Sequence, residues 1–276
     1  MKPRSPWLPG LMFTYLGWLL LLPLGALAWT GWQYPRSEWW SLVTAPVALA
    51  AYQLTLGTAV TAALLNTGLG FVLAWVLVRY QFPGRRVLDS LVDLPFAMPS
   101  VVAAITLATL YGDGGVLGQF WEEGTTLGRL LPWNFTASVE AVVLAQLFVT
   151  LPFVVRTVQP VLLELEPEVE EAAYTLGAGD WLCFWRVIFP PLIPALVTGF
   201  TLALARGIGE FGVIIMISGN IPYKTLVATV YVYQKLEEFD YPAATAIALV
   251  LLLVSLGLFA LTQSVQRWVM PPTTQG

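Results

Sequence analysis

The chain has 276 residues, of which 57% are hydrophobic and 11% are charged, and its formal net charge is −4. A soluble globular protein carries about 25% charged residues, so this composition indicates a protein whose surface lies in a lipid bilayer. The chain has no histidine and one cysteine, Cys183. An intramolecular disulfide is therefore excluded, and no histidine or cysteine cluster can hold a metal or a cofactor. No basic run or patch is present, which excludes nucleic acid as a partner.

Six segments predict membrane-spanning helices, each of which needs about 20 mainly apolar residues. In chain order they cover residues 11–34, 50–78, 91–111, 138–158, 192–218 and 243–268. We therefore predict an all-α membrane protein in which residues 1–276 form a single transmembrane domain.

The first segment has a second interpretation. Lys2 and Arg4 precede an apolar run that ends in Ala26-Leu27-Ala28, as in a cleaved signal peptide. The apolar run is long for a signal peptide, so we favour an uncleaved helix.

The distribution of Lys and Arg predicts the orientation. With the N-terminus in the cytoplasm, eight of these residues fall inside and four fall outside, and Arg206 lies within a helix. The inner set is Lys2, Arg4, Arg79, Arg85, Arg86, Arg156, Arg186 and Arg267, and the outer set is Arg36, Arg129, Lys224 and Lys235. We therefore expect both termini in the cytoplasm.

The predicted cytoplasmic loop 159–191 is the only inner segment long enough to form structure of its own. Pro167 is typical of the first turn of a helix, and Gly177 is placed to end that helix in a left-handed cap. Asp180 can then cap a second short helix, which Pro190 and Pro191 would end.

Five glutamates fall within eight positions of this loop: Glu164, Glu166, Glu168, Glu170 and Glu171. Anionic lipid headgroups repel such a cluster, so it should point away from the bilayer. The small residues Ala172 and Ala173 permit close approach. The cluster is either a solvated charged face or a surface that fits a basic groove on a soluble partner.

The residues Glu171-Ala172-Ala173, followed by Gly177, Val187 and Pro190, resemble the EAA loop of ABC-importer permeases. The family pattern has Ile and Leu where this chain has Val187 and Phe189, and both replacements are apolar. The resemblance implies a type I ABC importer permease fold, in which this loop is the coupling helix that inserts into the ATP-binding subunit. The implied coupling residues are Glu170, Glu171, Ala172, Ala173, Gly177 and Pro190.

Stretches from the third segment to the start of the sixth are similar to the sulfate/thiosulfate branch of these permeases, the CysT family. They are 94–99, 152–162, 209–212 with 219–221, and 238–244. The resemblance implies a bacterial-type inner membrane location and three partners: a second permease similar to CysW, a dimer of ATP-binding subunits similar to CysA, and a periplasmic sulfate- or thiosulfate-binding protein. Molybdate permeases share part of these stretches, so molybdate or tungstate remains an alternative substrate.

The chain itself has no G-x-x-x-x-G-K-[ST] phosphate-binding loop, so it is predicted not to be an enzyme, and ATP hydrolysis belongs to another chain. An intramembrane enzyme would need converging nucleophiles, bases or metal ligands, which the sequence does not offer. A channel that works without ATP is the alternative from a different class, but it would have no use for a docking loop.

Arg206 is predicted near the middle of the fifth segment, where a charge is costly and usually has a partner. Glu210 follows at i+4, and Asp93 in the third segment is a second candidate partner. Gly199, Ala203 and Gly207 predict a small-residue face that also carries Arg206. The sequence leaves two roles open, a structural ion pair or a positive potential along an anion pathway.

Overall fold

The computed structural model describes residues 7–112, 114–121, 135 and 137–269, and within these ranges all regular secondary structure is helical. The α-helices are α1 (Trp7–Leu16), α2 (Leu22–Trp32), α3 (Arg36–Val43), α4 (Pro46–Arg79), α5 (Arg85–Val92), α6 (Leu94–Ala97), α7 (Ser100–Tyr111), α8 (Val139–Glu164), α9 (Pro167–Thr175), α10 (Asp180–Cys183), α11 (Phe189–Ile208), α12 (Ile214–Ile217), α13 (Ala228–Glu237) and α14 (Tyr241–Val269). Two π-helical turns, Gly17–Leu21 and Phe184–Ile188, and one 3-10 turn, Gly118–Trp121, complete them.

Helices α4, α8 and α11 pack against one another at the centre of the molecule. Their contact surfaces are rich in alanine, glycine and valine, which lets the backbones approach closely. Gly199 of α11 shows how closely, since a Cβ atom there would lie 2.6 Å from Thr157 Oγ1 and 3.0 Å from Val154 Cα. The predicted small-residue face is therefore the face that α11 buries.

The remaining long helices lie around this centre. Helix α14 packs on α11 and α13, and α2 and α3 pack on α14. The first span, Gly10–Trp32, has apolar side chains that are largely exposed. Exposed apolar surface of this extent indicates contact with lipid.

Five helices in the described part of the chain are long and apolar enough to span a membrane: Gly10–Trp32, Pro46–Arg79, Val139–Glu164, Asp180–Ile208 and Tyr241–Ser264. They confirm the existence of five of the six predicted segments, although the fourth extends to Glu164 and the fifth runs from Asp180 to Ile208 instead of from 192 to 218. The prediction of one continuous helix over residues 91–111 is wrong. That segment breaks at Asp93 and again before Pro99, which leaves α7 with 12 residues. The breaks arise because Pro95 and Pro99 cannot donate a backbone N–H and restrict the preceding residue.

The prediction that Pro190 and Pro191 end a short helix is also wrong. Helix α10, the π turn and α11 form one continuous helix from Asp180 to Ile208. The π turn, in which Phe189 N–H bonds to Phe184 O, is wider than an α-helical turn and accommodates the prolines. Asp180 is the first residue of this helix, while the capping residue is Gly179, which has no side chain to donate or accept.

Candidate functional site

The exposed turn between α9 and α10 is a compact, hydrogen-bonded unit. Gly177 has a φ of 87°, which confirms the predicted left-handed cap. Its N–H donates to Tyr174 O at 2.9 Å, and Ala178 N–H donates to Ala173 O at 3.0 Å. This pair of bonds is the Schellman motif, which satisfies the last carbonyls of the helix and fixes the direction of the chain that follows.

The surface of this turn combines acidic, small and apolar residues. Glu171 and Ala172 are exposed, whereas Ala173 is half-buried. Leu176 is 89% exposed and Trp181 is 75% exposed. These two large apolar side chains are therefore exposed on a turn whose backbone is fixed by hydrogen bonds.

Glu170, on the same helix, makes a contact within the chain. Its carboxylate is ion-paired with Arg79, the last residue of α4, and both side chains are largely buried. The Arg79 guanidinium also lies 5.1 Å from the centre of the Trp75 ring, a cation–π contact that holds it in place. The ion pair therefore fixes α9 to the end of a membrane-spanning helix.

Arg156 of α8 organises a second charged cluster. Its Nε and Nη2 donate to the two oxygens of Asp93 at 2.8 and 2.6 Å, and its Nη1 donates to Asp89 Oδ1 at 2.7 Å and to Gln159 Oε1 at 2.6 Å. Such a two-pronged contact uses the planar fork of arginine. The prediction that Asp93 is a second candidate partner of Arg206 is therefore wrong. Asp93 pairs with Arg156 because the end of α5 lies beside α8.

The cluster also changes the titration of Asp89, which lies outside the spans. A hydrogen bond from the Gln159 amide, together with the Arg156 guanidinium, holds the pKa of the Asp89 carboxyl below its ordinary value of 3.8. Both groups stabilise the ionised form, and their combined effect exceeds the desolvation of this partly buried carboxylate, which acts in the opposite direction.

Arg206 and Glu210 form the predicted ion pair, with Nη2 2.6 Å from Oε2. This contact lacks hydrogen-bond geometry, so the buried Oε2 accepts no hydrogen bond from the described part of the chain. The other oxygen, Oε1, accepts the Val213 N–H at 2.9 Å. Glu210 is 1% exposed and Arg206 is 39% exposed, so the carboxylate, and not the guanidinium, is the buried member of the pair.

The pair lies at the end of the helix. Arg206 is in the last turn of α11, since the chain turns at Gly209 before α12. This position corrects the prediction that Arg206 lies near the middle of its helix. At 1.5 Å per residue, Arg206 lies about 39 Å along the helix from Asp180, which is more than the hydrocarbon thickness of a bilayer. The exposed turn and the Arg206–Glu210 pair are therefore at opposite ends of one helix.

Polar side chains that the sequence analysis did not single out join the three central helices. Asn66 Nδ2 donates to Leu147 O at 2.9 Å and to Thr150 Oγ1 at 2.7 Å. Gln146 Nε2 donates to Gly207 O at 3.1 Å. Their position inside otherwise apolar spans could have identified Asn66 and Gln146 from the sequence, because polar groups in a span need hydrogen-bond partners on neighbouring helices. Among the residues that the structure describes, no three carboxylates or thiols lie together as metal ligands would.

Residues 66–274 match the family described as binding-protein-dependent transport system inner membrane component. A probable sulfate transport system permease protein cysT of Nephroselmis olivacea is 51% identical over 253 residues, which cover 91% of this chain and 86% of the relative. The sulfate transport system permease protein CysT of Synechocystis sp. is 44% identical over 265 residues, or 95% and 89% of the two chains. The protein of that name in Escherichia coli is 47% identical over 238 residues, or 86% and 83%.

Solved structures share the fold. A bacterial ABC transporter involved in the import of the acidic polysaccharide alginate superposes with a TM-score of 0.77 at 19% identity, over 96% of each chain. The MetNI methionine ABC transporter in an inward-facing conformation superposes with a TM-score of 0.61 at 17% identity, over 86% of this chain and 100% of the other. At these identities the likeness concerns the fold alone.

Proposed function

We propose that this chain is the permease subunit of an ATP-driven importer of sulfate or thiosulfate. The chain belongs to the family of binding-protein-dependent transport system inner membrane components. It forms half of the translocation pathway and is driven by a separate ATPase. The names of relatives at 44–51% identity support the substrate.

Permeases of ABC importers work with another permease, an ATPase and a periplasmic binding protein. For this chain we propose the finer assignment: a second permease similar to CysW, two ATP-binding subunits similar to CysA, and a sulfate- or thiosulfate-binding protein. We also propose that both termini are cytoplasmic, with the broken segment α5–α7 providing the sixth crossing in addition to the five long helices. This orientation places the α9–α10 turn on the side of the ATPase.

The observation that carries the coupling role is the exposed turn after α9. It presents Glu171, Ala172 and Leu176 on a Schellman-capped helix, and the Arg79–Glu170 ion pair fixes that helix to α4. A turn that is both exposed and rigid can transmit the movement of a soluble partner to the bundle without changing its own conformation. The helix Asp180–Ile208 begins at this turn, so movement of the turn reaches the far side of the bundle directly.

Within this assignment Glu171, Ala172, Ala173 and Gly177 dock on the ATPase. Glu170 has a different task, because its carboxylate is already occupied by Arg79. Pro190 lies in the long helix beyond the π turn and shapes that helix. We assign to Arg206 a structural role, which is to compensate the buried charge of Glu210.

The substrate test is ATPase activity of the complete transporter in liposomes, with its binding protein, in the presence of sulfate, thiosulfate or molybdate. We expect sulfate or thiosulfate to raise the rate of ATP hydrolysis and of uptake together. Stimulation by molybdate alone would reassign the substrate. Uptake at the same rate without ATP would favour a channel.

A further inference from the structure

A cleft with a volume of about 570 Å³ lies beside α5. Its walls include Leu77 of α4, Arg156 and Leu163 of α8, and Arg85 and Arg86 of α5. Because Leu77 and Leu163 belong to the last turns of their spans, the cleft lies where two spans leave the membrane. Trp75 lies one turn before Arg79, the last residue of α4, and tryptophan is enriched at membrane interfaces.

The cleft has more positive than negative charge, and two of its arginines have no ion-pair partner in the described part of the chain. The charge of Arg156 is taken up by Asp89 and Asp93. Arg85 and Arg86 form no ion pair within the described part of the chain, although Arg85 contributes to the field at Asp89. Two adjacent guanidinium groups therefore remain available for an anion, and arginine suits a phosphate because its fork binds two oxygens.

Helix α5 also has an apolar face that no described part of the chain covers. Val87 is 64% exposed and Leu91 is 51% exposed, and the i, i+4 spacing places them on one side of the helix. Arginines beside such a face are typical of a helix that lies in the membrane interface. A soluble anion would use the arginines alone, whereas a lipid would use the arginines and the apolar face together.

We propose that Arg85 and Arg86 bind the phosphate of an anionic glycerophospholipid at this cleft, and that its acyl chains lie against Val87 and Leu91. Basic pockets between membrane helices bind anionic headgroups in this way. The ligand would join α5 to the ends of α4 and α8, close to the Arg79–Glu170 contact. None of the residues that line this cleft is among those assigned to ATPase docking.

The test compares lipids on the complete transporter. The probes are dioleoylphosphatidylglycerol, dioleoylphosphatidylcholine and inorganic phosphate, and the readouts are bound lipid by native mass spectrometry and the melting temperature. We expect phosphatidylglycerol to bind and to raise the melting temperature, and the other two not to. Equal effects of phosphatidylcholine would overturn the proposal, as would inorganic phosphate that displaces the lipid or reproduces the stabilisation.

The variant Arg85→Gln with Arg86→Gln should weaken phosphatidylglycerol binding by about 30-fold, from the usual contribution of a basic residue near an anionic surface. Its control is Arg36→Gln with Arg186→Gln, which removes the same charge from two exposed arginines elsewhere in the chain. The variant Arg85→Lys with Arg86→Lys should keep most of the binding. If the glutamine variant still binds the lipid normally but loses its ATPase subunits, the surface is a protein contact and the proposal fails.

A depth measurement decides the matter even if the glutamine variant does not fold. Cys183 is the only cysteine of the chain, so in a Cys183→Ala background a single spin label can be placed by Val87→Cys or by Leu176→Cys. We expect the label at 87 to be accessible to oxygen dissolved in the bilayer and shielded from a water-soluble relaxation agent. The label at 176 should show the opposite when the ATPase is absent. A label at 87 that lies in water would overturn the proposal.

Discussion

Glu170 of α9 is ion-paired with Arg79, which is 91 positions earlier and ends α4. The contact joins the helix that we propose to dock on the ATPase to a central span of the bundle. The sequence pattern places Glu170 among the residues that contact the ATPase, but in the structure its carboxylate forms an ion pair within the chain.

Reversal of either charge should therefore disturb the orientation of α9 more than its surface chemistry. We expect Glu170→Arg and Arg79→Glu each to reduce sulfate uptake strongly, and the double variant to recover much of it. The pair is largely buried, so its coupling energy should be about 1–2 kcal/mol, between exposed and fully buried pairs. A double variant as inactive as the single ones would show that Glu170 contacts the ATPase instead.

Glu171 should behave differently from Glu170, because it is exposed and forms no ion pair within the described part of the chain. We expect Glu171→Lys to insert and fold normally but to lose ATP-driven uptake. The matched control is Glu166→Lys, a change of the same charge at an exposed residue just before α9, which should retain most activity. Normal uptake by Glu171→Lys would contradict the docking assignment.

Gly177 and Gly179 provide a paired test of the turn. Both have open space where the Cβ atom of a larger residue would lie, but only Gly177 has a positive φ, at 87°. A side chain at 177 should therefore cost about 1–2 kcal/mol in backbone strain, and a β-branched one more. Gly177→Val should weaken copurification of the ATPase, whereas Gly179→Ser should not. Equal copurification of both variants would rule out a role for this backbone geometry.

The Arg206–Glu210 pair should respond asymmetrically, because only Glu210 is buried. Arg206→Met leaves an uncompensated buried carboxylate and should destabilise the protein by about 3 kcal/mol. Glu210→Gln leaves a half-exposed arginine and keeps an acceptor for the Val213 N–H, so its effect should be smaller. The double variant should recover uptake, measured with labelled sulfate per inserted protein. A well-inserted but inactive double variant would mean that Arg206 supplies potential for the anion.

The Asp89 carboxyl should make stability depend on pH in acid. Its pKa is lowered in the folded state, so the stabilisation is complete above the ordinary value of 3.8 and is lost as the pH falls through the lowered pKa. We expect the wild type to have a higher melting temperature than Asp89→Asn at pH 6, with the difference shrinking below about pH 4. A difference that stays constant down to pH 3 would argue against this linkage. Asp180→Asn, at an exposed residue, is the control.

The sequence by itself determined the features that depend on neighbours within one or two helical turns. The apolar segments, the helix that begins at Pro167, the left-handed Gly177 and the i, i+4 contact of Arg206 with Glu210 are all of this kind. Each follows from hydropathy, proline and glycine geometry, or helical periodicity, which act locally.

The tertiary structure decided the features that depend on distant partners. Asp93 lies beside Arg156, 63 positions away, and not beside Arg206. Glu170 lies against Arg79, and the long helix passes Pro190 but ends at Ile208, so that Arg206 lies at its end. Local patterns cannot choose among several distant charges, since the partner is selected by which helices pack together. That packing depends on close approach at residues such as Gly199, which is a property of the whole bundle.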